Sequence, residues 1–198
     1  MTAPQANTLS ERFEDALVYA TQQHAGQTVK TTGAPYILHP MQVAGIALEY
    51  GADEEQAIAA LLHDVLEDTP TTFEEIEARF GARVAVIVRD CSDTEDHEEK
   101  GPWQERKEAY LERLAKKDAD TALVSCADKL HNSRRIVADL RACEDDAAKT
   151  AFWNHFRGKC DGSLWYYRAL LQTLGGLGVP AGLLGELAHA VEQMEALA

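Results

Sequence analysis

Apolar residues recur at helical spacing along almost the whole chain. Within 9–24, Leu9, Phe13, Leu17 and Ala20 share one face, which predicts an amphipathic helix. Residues 25–35, AGQTVKTTGAP, break the pattern with two glycines, a proline and paired threonines, and predict a loop. Pro40 stands where a first helical position would be and predicts a second helix over 40–50. Asp53 with Gln56 makes a capping-box pattern and starts a third, DEEQAIAALLHDVLED, apolar over most of its length until His63. Thr72 with Glu75 starts a fourth, ended by Phe80-Gly81, and a fifth follows at 82–92. The polar, acidic stretch 93–102, DTEDHEEKGP, reads as an exposed loop. Helices resume at 103–116, 119–142 and 146–157; GKCDG predicts a break; two more follow at 162–174 and 181–197. Strand-type alternation and internal repeats are absent. The pattern predicts an all-α protein, a helical core over 1–145 with a C-terminal helical cap over 146–198 packed on it.

Composition narrows the function classes. With 198 residues, 45% of them hydrophobic and 26% charged, the chain can build an ordinary globular core. No apolar run approaches the ~18 residues of a membrane span. The N-terminal MTAPQANTLSERFED has neither a basic region nor an apolar stretch, so no secretory signal is expected and the cytoplasm is the expected location. Cysteines at 91, 126, 143 and 160 show no CxxC spacing, which predicts reduced structural thiols. A net charge of −14 argues against a nucleic-acid polymer as partner. It leaves room for a small phosphorylated substrate, because a bound cation and a few local Lys or Arg residues can invert the field inside a cleft.

The chemistry concentrates in ALLHDVLEDT, residues 60–69. His63, Asp64, Glu67 and Asp68 stand at the polar end of an apolar helix, with His63 and Glu67, and Asp64 and Asp68, one turn apart. Such a group is expensive to bury without compensation, and acids at a helix C-terminus oppose the macrodipole. A cation would supply the compensation; an acidic helix end with no ligand is the plainer alternative. Elsewhere, His39 precedes Pro40 in YILHP, and Asp128 follows an apolar run in VSCADKLHN. Taken singly, the first reads as a cap or surface histidine and the second as half of an ion pair. Two imidazoles and two carboxylates together make a nitrogen and oxygen donor set suited to Mn²⁺, Fe²⁺ or a similar six-coordinate ion, Zn²⁺ being the four-coordinate alternative.

The order H…HD…D resembles the HD superfamily of metal-dependent phosphohydrolases. HAGQTVKTTGAPYILHPMQVA, ALLHDVLEDT, FGARVAVIV and ADKLHN, in that order, more closely resemble the hydrolase domain of RelA/SpoT proteins and the small stand-alone alarmone hydrolases, over residues 10–140. The resemblance implies an HD-domain helical bundle with His39, His63, Asp64 and Asp128 as metal ligands and Mn²⁺ as the usual ion. It implies hydrolysis of guanosine tetra- or pentaphosphate to GDP or GTP plus pyrophosphate. Glu67 and Asp68 are candidates for orienting and deprotonating the attacking water, or else for supporting the histidines. By the same resemblance Lys30 lines the nucleotide pocket and Asn132 contacts base or ribose. Arg135, three residues on, would meet a phosphate or else lie solvated on its helix.

The Arg-Lys pair that the family carries in the first loop reads Val29-Lys30 here. Valine can neither stack on a guanine as a cation nor donate a hydrogen bond, so the nucleotide stays open. A basic cluster of Lys100, Arg106 and Lys107 could neutralise a pyrophosphate. Trp165, Tyr166 and Tyr167 read as core, with a lid or a dimer surface as alternatives. At 198 residues no room is expected for a synthetase or regulatory domain. Three readings follow: an alarmone hydrolase; an HD phosphohydrolase for another nucleotide or phosphorylated small molecule; and a nucleotide-sensing module without turnover. A homo-oligomer is left open.

Overall fold

A computed structural model describes residues 8–29, 32–92 and 101–198. The described residues are helical, as the apolar periodicity predicts, apart from turns and one isolated antiparallel bridge between Thr28 and Pro35. None of these helices is long and apolar enough to cross a membrane. The chain divides into two compact units, Met1–Ser92 and Asp93–Ala198.

The first unit holds α1 (Glu11–Gln23), α2 (Leu38–Glu49), α3 (Glu54–Leu62), α4 (Val65–Asp68), α5 (Phe73–Phe80) and α6 (Ala82–Cys91). Its centre is α3, which packs against α1, α2 and α6. Every residue from Gln56 to Leu62 is buried, which is why this helix is apolar all round rather than amphipathic. Ile58, Leu61 and Leu62 are fully enclosed, each stabilising the unit by about 1.5–3 kcal/mol on burial. Both predicted capping boxes form: Asp53 with Gln56 opens α3, and Thr72 with Glu75 opens α5.

Two local features depart from expectation. The second helix starts at Leu38 rather than Pro40, so His39 lies inside its first turn. Leu38 and His39 donate their backbone N–H groups to Pro35 and Tyr36 carbonyls at 3.2 and 2.9 Å. Proline fits the third position because first-turn N–H groups have no intrahelical acceptor to lose. The third helix ends at Leu62, and His63–Asp64 form a turn before α4. Glu67 and Asp68 therefore occupy the first turn of a new short helix, where acids are favoured, and not the C-terminus of a long one. Asp64 and Asp68 keep their one-turn relation, since the Asp68 N–H donates to the Asp64 carbonyl at 2.9 Å.

The second unit holds α7 (Trp103–Leu114), α8 (Ala119–Arg141), α9 (Asp146–Trp153), α10 (Lys159–Gly175) and α11 (Ala181–Leu197). The 23-residue α8 is its axis, packed against α9 and α11, while α10 packs on α7 and α11. Residues 121–128 of α8 are buried on all sides; beyond them only the stripe Leu130, Ser133, Ile136, Val137 and Leu140 is buried. The break expected at GKCDG falls earlier, at 154–158, and α10 runs from Lys159 through the rest of GKCDG. Its glycines serve a close approach instead, because a Cβ on Gly158 would lie 2.6 Å from the Trp103 indole. Tyr166 and Tyr167 are buried, and Tyr166 meets Trp103 and Tyr110 at ring-centroid distances of 6.3 and 6.5 Å. The four cysteines are free thiols.

Candidate metal centre

The central helix delivers His63 at its buried end. His63 Nδ1 lies 2.8 Å from the Ala60 carbonyl. A carbonyl oxygen only accepts, so Nδ1 carries the proton and donates, and Nε2 of the neutral ring keeps its lone pair. The first turn of α2 delivers His39, whose Nε2 sits 3.1 Å from His63 Nε2. Two ring nitrogens at that separation need a proton or a cation between them.

Asp64 completes this group. Its Oδ2 lies 3.1 Å from His63 Nε2 and 3.4 Å from His39 Nε2. Neighbouring corners of an octahedron with bonds near 2.1 Å are about 3 Å apart, so the spacing fits a shared six-coordinate ion. Burial alone would raise the Asp64 carboxyl. With both imidazoles protonated, the charges of His63 and His39 and their hydrogen bonds outweigh it and hold the group well below the usual carboxylate range; with the rings neutral, that place falls to a cation. The Tyr36 hydroxyl donates to the same Oδ2 at 2.6 Å.

Asp128 is buried in the apolar stretch of α8. Asn132, one turn later, donates its amide to Oδ1 at 2.6 Å, and the Lys129 ammonium donates to Oδ2. Lys129 Nζ also lies 5.6 Å from the Tyr110 ring centroid. Burial works against the ammonium, yet Asp128, Tyr166 and Tyr110 raise its pKa well above the ordinary lysine value, so it stays charged. Among the described residues, His39, His63 and Asp128, all three buried, are candidate metal ligands.

The remaining expected residues take varied positions. Glu67 is half-buried and Asp68 exposed, both on α4. Arg135 reaches Asp139 at 3.6 Å along the half-exposed surface of α8. Lys30, Lys100 and most of the acidic stretch 93–102 lie outside the described residues. Lys107 lies over aromatic rings, 4.9 Å from the Tyr166 centroid. Val29 is half-buried, its N–H donating to the Ala34 carbonyl at 2.8 Å.

Three contributors escaped the sequence reading. Tyr36 was visible only as part of YILHP, although its spacing of three from His39 allowed a shared site. Lys129 was visible as an ion-pair partner but not as a half-buried one beside the Tyr110 ring. Gln27 looked like a loop residue; it donates Nε2 to the Asp68 carbonyl at 2.9 Å and meets His24 Nδ1 through Oε1 at 2.9 Å, tying the first loop to the end of α4.

A helical fold whose buried histidines and carboxylate meet at a helix break defines a class, and the chain belongs to it: residues 16–157 match the HD domain family. Within that class, the bifunctional (p)ppGpp synthase/hydrolase SpoT of Escherichia coli K12 is 39% identical over 132 residues, 64% of this chain. The chain spans 18% of that protein's length. The guanosine-3′,5′-bis(diphosphate) 3′-pyrophosphohydrolase MESH1 of Danio rerio is 42% identical over 128 residues, covering 63% of this chain and 67% of its own. The solved structure of a metazoan SpoT orthologue that hydrolyses ppGpp matches over 100% of both chains with a TM-score of 0.75 and 31% identity. The chain is thus homologous to the SpoT hydrolase domain and to a stand-alone hydrolase.

Proposed function

We propose that this protein is a metal-dependent phosphohydrolase that removes the 3′-pyrophosphate from guanosine tetra- or pentaphosphate. The observation that carries the reading is the convergence of His39 Nε2, His63 Nε2 and Asp64 Oδ2 within 3.4 Å of one another. The family resemblance adds Asp128 as a second oxygen donor, and two nitrogens with two oxygens suit one divalent cation, which we assign as Mn²⁺. The relatives named above supply the substrate.

When bound, such an ion clamps a phosphate oxygen and makes water a better nucleophile at neutral pH. The chain does the rest. His63 presents a bare Nε2 because Ala60 holds its other nitrogen protonated. Lys129 and Asn132 donate to the two oxygens of Asp128 and fix their orientation. Glu67 and Asp68, one turn beyond the His-Asp pair, take the proton of the attacking water. The water oxygen bonds to the phosphorus nearest the ribose, that phosphorus parts from the 3′ oxygen, and a proton ends on the nucleotide hydroxyl. Lys30 and Arg135 are our candidates for contacts with the nucleotide; Asn132, which the resemblance also gives to the nucleotide, we assign to Asp128 on its hydrogen bond to Oδ1.

We assign the catalytic core to residues 1–145 and a supporting cap to 146–198. The packing of α10 on α7, and of α9 and α11 on α8, supports the cap. Four free thiols agree with work in the reducing cytoplasm. A second reading, hydrolysis of another nucleotide, is favoured by Val29 where the family carries arginine. The test is to offer Mn²⁺-loaded protein guanosine tetraphosphate beside other nucleotides and follow pyrophosphate and phosphate release separately. Pyrophosphate from the tetraphosphate is the expected result; release only from other compounds moves the assignment to the second reading.

A further inference from the structure

Four aspartates stand at helix N-caps among the described residues, and one behaves differently. Asp53, Asp118 and Asp145 each accept the backbone N–H three residues on, from Gln56, Thr121 and Ala148. That is the ordinary use of a capping carboxylate. Asp64 caps α4 by position but makes no such bond. Its carboxylate turns away from the helix toward His39 and His63, and Tyr36 holds it there at 2.6 Å.

Tyr36 is itself fixed. Its N–H donates to the Gln27 carbonyl at 3.0 Å, next to the Thr28–Pro35 bridge. Its ring packs against His24 and His39, with centroids 5.0 and 5.7 Å away. An aspartate carboxylate rotates in a broad, shallow torsional well, so its aim has to come from a partner. An ionised carboxylate only accepts, and the phenol is therefore the donor.

We propose that Tyr36 is a positioning residue of the metal site. Its hydroxyl draws Asp64 off the helix cap and aims Oδ2 at the two imidazole nitrogens. By occupying one lone pair of Oδ2, it leaves the other for the cation and makes Asp64 a one-oxygen ligand. The proposal rests on the metal-site reading given under Proposed function.

The variant Tyr36→Phe removes the hydroxyl and keeps the ring between His24 and His39. Mn²⁺ is titrated calorimetrically into metal-free wild type and variant, Co²⁺ spectra are recorded for both, and thermal unfolding of the metal-free forms checks the fold. We expect Tyr36→Phe to unfold at the wild-type temperature, to bind Mn²⁺ about 10–100-fold more weakly and to show a changed Co²⁺ absorption band, the usual size for loss of a group that orients a ligand. Excess Mn²⁺ should recover turnover with KM unmoved. Wild-type affinity and an unchanged Co²⁺ spectrum in the variant overturn the role of Tyr36 alone. A wild-type protein that takes up neither ion overturns the metal site, and this proposal with it. If Tyr36→Phe unfolds early, Tyr36→His, which keeps a ring and a donor, decides: Mn²⁺ affinity recovered toward wild type supports the role, and affinity as weak as that of Tyr36→Phe reduces Tyr36 to packing.

Discussion

Asn132 lies one turn beyond Asp128 on α8 and donates its side-chain amide to Oδ1 at 2.6 Å. The resemblance to alarmone hydrolases assigns this asparagine to the nucleotide, whereas the structure gives it work on a candidate metal ligand. The two roles separate in kinetics. Asn132→Ala should lower metal affinity by about 10–100-fold and leave KM at saturating metal near wild type. A KM rise with unchanged metal affinity would return Asn132 to the nucleotide.

Glu67 and Asp68 occupy the first turn of α4, beyond the proposed ligands His63 and Asp64. Replacing Glu67 by Ala should keep the metal and lower turnover by about 10²-fold or more, the usual scale of a lost acid–base group. The measurement is kcat at saturating Mn²⁺ with metal content determined on the same sample. Near-normal kcat would make Glu67 a supporting residue.

The helical architecture was legible because its signals are local. Asp53 with Gln56, and Thr72 with Glu75, carry their capping partners three residues away, and each helix starts where they say. The candidate ligands could be named because the order H…HD…D, in these sequence contexts, resembles the HD superfamily. The break at His63–Asp64 was not legible. It depends on where the His63 ring and Asp64 carboxylate point, and the partners of Asp64, Tyr36 and His39, come from a distant part of the chain. GKCDG misled for a related reason: glycine marks a turn or a close contact equally well, and only the position of Trp103 chooses between them.

That contact has a measurable cost. A Cβ on Gly158 would approach the Trp103 ring to 2.6 Å, and one on Gly162 to 3.0 Å. Gly158→Ala should destabilise the protein by about 1–3 kcal/mol, the range for overfilling a packed contact. Denaturant unfolding checks it, and Mn²⁺ affinity of the folded variant should be unchanged. Wild-type stability would mean that the indole moves aside freely.

Cys126 is enclosed in α8, and burial pushes its thiol from 9.0 up to about 12. The folded state therefore holds this thiol neutral, and its contribution to stability is present below pH 9.0 and lost as pH rises toward about 12. At pH 8 a thiol reagent should label all four cysteines in denaturant and leave Cys126 unmodified in the folded protein. Mass spectrometry of the labelled peptides reads the result, and rapid native labelling of Cys126 would contradict its burial.

The central claim is that the His-Asp group holds the catalytic cation, and metal content tests it most directly. Wild type and Asp64→Ala are loaded with Mn²⁺, freed of excess ion and analysed for metal per chain, with circular dichroism confirming that both are folded. We predict one Mn²⁺ per wild-type chain and none retained by Asp64→Ala, with turnover lost in parallel. Asp64→Ala that stays folded and holds Mn²⁺ at the wild-type level would contradict the account.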